Sequence, residues 1–374
     1  MQKKSLAEVR IQNLIAIYRF VLQKRYCTKR EIQQSTFLSW GSISNGVREL
    51  TEMGILAAEE KGTASSRGRY ADTVFVDDKR VLVIGIDVLR SGIHGALLNL
   101  KAEAVYEETG REIQDTKRES FLNKIFLTID RLQVEAKKRN AVVMAIGCSI
   151  SGIVDSQKGI SRYLSGFAEK EWVDVPLADL LRQRYQIPVF LEHDPQCVLY
   201  HEMEKWGKDD AVLIRMGQGL GFAVCLDGHI YAGEGRYELS FFRVNGPKGP
   251  IPMEDVASLW GASMKKHPSV DAEYILEHFA DYQADYEWLG KGLGEAIFNL
   301  YCLFHNRNVF LTGPLSAKKE CYFDSMRKTI DEYANYPLSQ TLNFIVDPAD
   351  DAASGAAMIA IERSLPVFLK KENK

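Results

Sequence analysis

The 374-residue chain has six cysteines, and none is close to another: Cys27, Cys148, Cys197, Cys225, Cys302 and Cys321 stand singly, with no CxC or CxxC pair. That scatter argues against a disulfide framework and against a thiolate zinc site. No apolar run reaches about 18 residues, so no membrane span is expected. The opening stretch "MQKKSLAEVR" lacks the apolar core of a signal peptide. Tracts rich in Pro, Gly or Ser are absent too. What remains, 46% hydrophobic and 26% charged residues, is the composition of a globular chain long enough for two or three domains. A cytoplasmic location is expected.

Net charge is small, −3, but unevenly placed. Residues 1–75 hold 12 Lys and Arg against 7 Asp and Glu, which leaves about −8 for the rest. A basic head on an acidic body suggests that only the head meets a polyanion.

Three helical patterns occupy that head. "SLAEVRIQNLIAIYRFVLQKR" offers Val9, Leu14, Ile15, Ile17 and Val21 as a buried face. "TKREIQQSTF" opens with Thr28 as N-cap and Glu31 at capping-box spacing. "SWGSISNGVRELTEMGIL" starts at Ser39 or Ser42, buries Ile43, Val47, Leu50 and Met53, and stops at Gly54. Gly46 costs the third helix about 1 kcal/mol against Ala, and close packing on the second helix would account for it. "ILAAEEKG" and "RYADTVFVD" then read as two strands around a polar loop. This order is that of a winged helix-turn-helix over residues 1–76. Its DNA-facing candidates are Thr28, Lys29 and Arg30, then Ser42, Ser44, Asn45 and Arg48 on the third helix, and Arg67 and Arg69 in the loop.

From about residue 80 the pattern becomes α/β. Strands are expected at 81–88, 92–100 and 102–108, with the acid Asp87 at the bend of the first hairpin, and a helix at about 116–138. A strand "AVVMAIGCSI", a turn "SGIVDSQKG", a helix "PLADLLRQRY", a strand "PVFLEHD" and a helix starting at Pro195 follow. "AVLIRMGQGLGFAVCLDGHIYAG" then repeats the opening idea of apolar strand, turn and apolar strand. A hairpin start met twice, each time followed by helices, is what a duplicated ribonuclease-H-like fold of the actin/hexokinase type would give.

The motifs, taken in order, resemble those of the ROK family of repressors and sugar kinases, in particular its regulator branch with an N-terminal winged helix. "VIGIDVLRSGIHGALLNL" resembles the first phosphate motif, and "SISGIVD" the segment written G-x-P-G-x-V-D. "WVDVPLADLL" resembles a regulator segment, and "LEHDPQC" stands where the family has E-N-D-A-N. "MGQGLGFAVCLDGHIYAG" stands for G-T-G-I-G-x-G-I, "YELSFF" for G-E-x-G-H, "VFLTGPLS" for an adenosine motif, and "DPADDAASGAAMIAI" for the closing helix. The resemblance implies a first lobe at 80–195 completed by a helix at 351–366, a second lobe at 196–350, and a sugar-binding cleft between them.

Several family features are altered. Val88, Leu89 and Arg90 replace the Gly-Gly-Thr succession of the first turn, Gln218 replaces Thr in the second, and Pro314 follows Gly313. Side chains in such turns obstruct the backbone N–H groups that cradle phosphates. Phe241 replaces the histidine of the family's zinc site, and no cysteine run follows it. His193, Cys197 and His201, at i, i+4, i+8, make a poor metal set because His193 precedes Pro195. No cofactor is expected.

The family's catalytic base corresponds to Asp194, which also suits a helix N-cap. The resemblance implies a sugar site of Asp194, Glu238 and His193, with Ser165 and Gly166, and Phe241 available to stack on a ring face. Arg90 or Lys170 could balance a sugar phosphate. Three readings stay open: a homodimeric or dimer-of-dimers repressor that binds an operator duplex and releases it to a sugar effector; an active ATP-dependent hexose kinase; and a DNA-bound regulator with a vestigial pocket and a protein effector.

Overall fold

Side-chain caps set the helix starts in the head. The computed structural model describes residues 5–59, 73–89, 92–110, 117–164, 172–231, 239–246 and 248–371. Ser5 and Glu8 form a capping box at the start of α1 (Leu6–Lys24). β1 (Cys27–Thr28) leads into α2 (Lys29–Thr36), and Ser39 caps α3 (Trp40–Glu52). β2 (Leu56–Glu59) and β3 (Thr73–Val76) follow, and the three strands pair in the order β1-β3-β2. This is the expected winged helix-turn-helix.

Two expectations for the head need correction. Val9 is 41% exposed and Ile15 is half-buried, while Ile11 and Tyr18 are buried with Leu14, Ile17 and Val21. Val9 lies two positions before Ile11, about 200° round the helix, and so faces out. Gly46 packs on α1 and not on α2: a Cβ there would come within 2.5 Å of Ile17 Cδ1.

In the body, β4 (Val81–Leu89), β5 (Gly92–Asn99) and β6 (Ala104–Thr109) form an antiparallel meander, followed by α4 (Arg118–Lys138). The third strand starts later than expected because residues 100–103 turn. Asn99 Oδ1 accepts the Lys101 and Glu103 amides, and Ala102 takes φ +62°. Asp87 lies inside β4 rather than at the bend, paired with His94.

β7 (Val142–Ile150) runs parallel to β4. The "SGIVDSQKG" stretch is not a simple turn. It carries β8 (Ile153–Asp155), which pairs with β9 (Ile160–Tyr163), and β10 (Val173–Val175) extends them to a small antiparallel sheet. α5 (Leu177–Tyr185) and β11 (Val189–His193) complete the half, giving the sheet order β11-β7-β4-β5-β6.

The second half begins with α6 (Asp194–Trp206) and repeats the meander with β12 (Ala211–Met216), β13 (Leu220–Leu226) and β14 (His229–Ile230). A hairpin of β15 (Arg243–Gly246) and β16 (Gly249–Pro252) and the short helices α7 (Glu254–Ala257), α8 (Ala272–Glu277) and α9 (Phe279–Tyr282) come next. They pack with α10 (Leu289–Phe304), β17 (Asn308–Thr312), α11 (Phe323–Ala334) and β18 (Asn343–Asp347) around a core that includes Phe222, Tyr286 and Tyr322. The sheet order is β14-β13-β12-β17-β18, with β17 and β18 parallel to β12. Both sheets thus join three antiparallel strands to two parallel ones, and the expected duplication is present.

α12 (Ala352–Lys371) runs five residues past the expected end and through Pro366. Among the described residues it is the one helix long and apolar enough to cross a membrane, yet 72% of that window is buried inside the chain, as in a core helix.

The chain divides into two compact units, Met1–His193 with Ala356–Lys374, and Asp194–Gly355. The head thus shares a unit with the first half. Tyr18 Oη donates to the Leu100 carbonyl at 2.6 Å, Arg80 Nη1 donates to the Thr51 carbonyl at 3.2 Å, and Lys101 pairs with Asp78 at 2.8 Å.

Candidate functional site

The described candidates of the head sit on α2 and α3. Thr28 caps α2: its amide and hydroxyl both donate to Glu31 Oε2, at 2.7 and 2.8 Å, and hold the Glu31 carboxyl below its ordinary range. Thr28 therefore spends its side chain on the helix start. Lys29 is half-buried and Arg30 exposed.

On α3, Ser39 Oγ accepts the Ser42 amide at 3.2 Å and lies 2.9 Å from the Ser42 hydroxyl, so Ser42 is likewise tied to a cap. Ser44 is half-buried, and Asn45 and Arg48 are exposed, with Arg48 Nη2 3.4 Å from Asn45 Oδ1. Arg10 and Glu49 form an ion pair between α1 and α3. Arg67 and Arg69 lie outside the described residues. Sequence reasoning passed over Phe37, 93% exposed, and Trp40, 53% exposed. The place of Trp40, just after the cap Ser39, was the available signal.

The first half contributes a buried acid. Asp87 accepts a hydrogen bond from Ser149 Oγ at 2.6 Å, across the β4–β7 register. Burial, reinforced by Asp87, pushes the neighbouring Cys148 thiol up, so it stays protonated. Glu192 is buried between the Ser156 hydroxyl and Arg363, the latter at 2.7 Å. His193 ends β11 and is half-buried. Ser165, Gly166, Lys170 and Arg90 lie outside the described residues, as does Glu238.

The second half holds Asp194 and the glycine turn. Asp194 is the first residue of α6, buried, and ion-paired with Arg215 of β12. Arg215 also binds Asp350, Nε to Oδ2, at 2.6 Å. A guanidinium thus covers an oxygen that a proton-accepting base would need. The sequence signal for Arg215 was a lone cation inside the apolar run "AVLIRM".

In the turn, Leu220 N–H donates to Glu254 Oε2 at 3.2 Å, and Glu254 Oε1 accepts the Ser258 hydroxyl at 3.0 Å. The Gly217 and Gln218 carbonyls accept the amides of Leu259 and Trp260 at 3.0 and 2.9 Å. An internal carboxylate therefore takes an N–H that a phosphate oxygen could take. Gly221 is needed for packing, because a Cβ would meet Pro195 Cγ at 2.8 Å. Gly313 takes φ +81° beside the Met216 carbonyl, and Pro314 opens the 3₁₀ segment Pro314–Cys321, where a missing N–H is tolerated.

Among the described residues no group of three His, Cys, Asp or Glu side chains could hold a metal ion. Cys197 is buried on α6, His201 contacts Glu202 at 3.3 Å, and Phe241 is 73% exposed.

A winged helix followed by two like-ordered sheets is the architecture of the chain, and the paired sheets are of the actin/hexokinase type. Residues 83–239 match the model of the ROK family. The chain is similar to the xylose repressor of Caldicellulosiruptor bescii, 24% identical over 225 residues, which cover 59% of this chain and 55% of that one. The match thus spans little more than half the length of that relative. Among solved structures, a ROK family transcriptional regulator described as a homolog of the Escherichia coli MLC protein superposes with a TM-score of 0.79 at 21% identity, over 96% of this chain and 98% of that one. A ROK hexokinase from Thermus thermophilus gives 0.61 at 18% identity, over 75% and 98%. The fold is that of ROK regulators, and regulators and kinases both stand among its neighbours.

Proposed function

We propose that this protein is a DNA-binding regulator of carbohydrate-metabolism genes, a repressor that a small sugar or sugar phosphate releases from its operator. The observation that carries the reading is α3: its buried side is held by Ile43, Val47 and Leu50, while Asn45 and Arg48 face solvent at the spacing a major groove reads. The xylose-repressor name of a relative supports the sugar link. The functional parts are a head at 1–76, a first lobe at 80–195 with 351–366, and a second at 196–350. Asp194, Glu238, His193, Ser165 and Gly166 are the proposed sugar contacts. Two heads act together as a homodimer or dimer of dimers, in the cytoplasm, on half-sites about 34 Å apart.

Catalysis by ATP is not part of this reading. Arg215 on Asp194 and Glu254 on the glycine turn argue against it, since phosphoryl transfer needs a free base and a cradle for the triphosphate. A coupled ATP-hydrolysis assay with a hexose panel tests that, and turnover at ordinary kinase rates would restore the kinase reading.

The regulator reading is tested by duplex binding with and without each sugar. Sugar-dependent release is expected, together with a thermal shift of the protein on saturation. Arg48→Ala should weaken binding and lower the salt slope by about one phosphate contact. Absence of any duplex binding at low salt would remove the reading.

A further inference from the structure

We infer that Trp40, seconded by Phe37, is a specificity-determining contact that reads thymine in the major groove. The inference rests on the DNA-binding reading above and goes beyond it to the base read.

Three observations carry it. Trp40 is the first residue of α3, on the same helical face as Ser44 and Arg48 at i, i+4 and i+8, and it is 53% exposed. In helix-turn-helix proteins the N-terminal residues of this helix reach base edges first. The Trp40 indole N–H has no hydrogen-bond partner among the described residues, and Phe37 packs on no other ring there. Phe37 holds φ +57° at the end of α2, a conformation glycine adopts freely, and leaves 93% of its surface to solvent. A large apolar side chain in a left-handed position, supported by little packing, does nothing evident for the fold.

The chemistry selects the base. Thymine presents a C5 methyl beside its O4 acceptor in the major groove, and no other base offers that pair. An indole supplies the complement, an apolar body and one N–H donor, with no acceptor. Ser44 and Arg48 extend that side of α3 with groups suited to guanine and phosphate, while Asn45 stands about 140° round the helix from Trp40. The head's excess of basic over acidic residues fits a polyanion better than a second copy of this chain, whose own net charge is −3.

The test uses the full-length protein and a duplex selected by it from a randomised library. Replacing thymine by deoxyuridine at each selected position deletes only the methyl group. Wild type should lose about fourfold affinity at the contacted positions, the worth of one buried methyl. Trp40→Ala should lose about tenfold on the selected duplex and become indifferent to the thymine-to-uracil change. Phe37→Gly should keep or raise the melting temperature while weakening the same thymine preference.

Binding to poly(dG-dC) should stay unchanged in both variants, which separates lost readout from lost folding. If wild type binds no duplex at low salt, the DNA-binding reading fails. If wild type binds and both variants keep its thymine preference, the inference alone is overturned. A change of oligomeric state in the variants with unchanged base preference would overturn it too, by assigning the aromatic pair to a protein contact.

Discussion

The two halves of the body start from the same strand plan and treat its first hairpin differently. In the first, pairing runs unbroken to Leu89 opposite Gly92, and Val88 is buried in the sheet core. In the second, the turn between Met216 and Leu220 keeps its glycines but is bonded to Glu254 and to the 258–260 backbone. One half carries strand up to the bend, and the other has a glycine turn bonded to its own chain. Retained glycines are therefore poor witnesses to a nucleotide site: Gly221 is required by Pro195 whatever the ligand.

The comparison breaks most visibly at Arg215. Arg215→Met leaves Asp194 and Asp350 without their shared cation, and the side chains concerned are between 8% and 17% exposed. A loss of about 4 kcal/mol is expected in denaturant unfolding, confined to the second half in hydrogen exchange. An unchanged midpoint would mean the pair contributes nothing.

Ser149→Ala probes the first hairpin by removing a donor from buried Asp87, at a cost of about 2 kcal/mol in the same assay. Glu254→Gln should cost about 1 kcal/mol, because the amide oxygen still accepts from Leu220. It sharpens the contrast if inorganic phosphate then binds, measured by calorimetry, where wild type does not.

The smallest effect is in the head. The folded Glu31 carboxyl lies below its ordinary value of 4.5, so the capping box stabilises above that pH and its contribution fades as pH falls. Thr28→Ala should flatten the acid limb of the melting curve.

Much of the fold was legible because it follows local rules. Thr28 and Glu31 announce a capping box, alternation of apolar runs announces the meanders, and the second hairpin visibly copies the first. The β8–β10 sheet was hidden because strands of three or four residues carry too little pattern to separate from a turn. Gly46 was legible as a close approach but not as an approach to Ile17, since residue spacing names the face and not the neighbour. The Asp194–Arg215–Asp350 triad joins residues 21 and 135 positions apart, which no local period encodes.

Tyr18 anchors the head to Leu100, the residue that follows β5, and β5 begins at the tip of the first hairpin. The hairpin tip and the head's mooring are thus the two ends of a single strand about 23 Å long. Whatever fixes the hairpin tip therefore also fixes the strand from which the head hangs, up to the slip in register against β6 between Leu97 and Leu98.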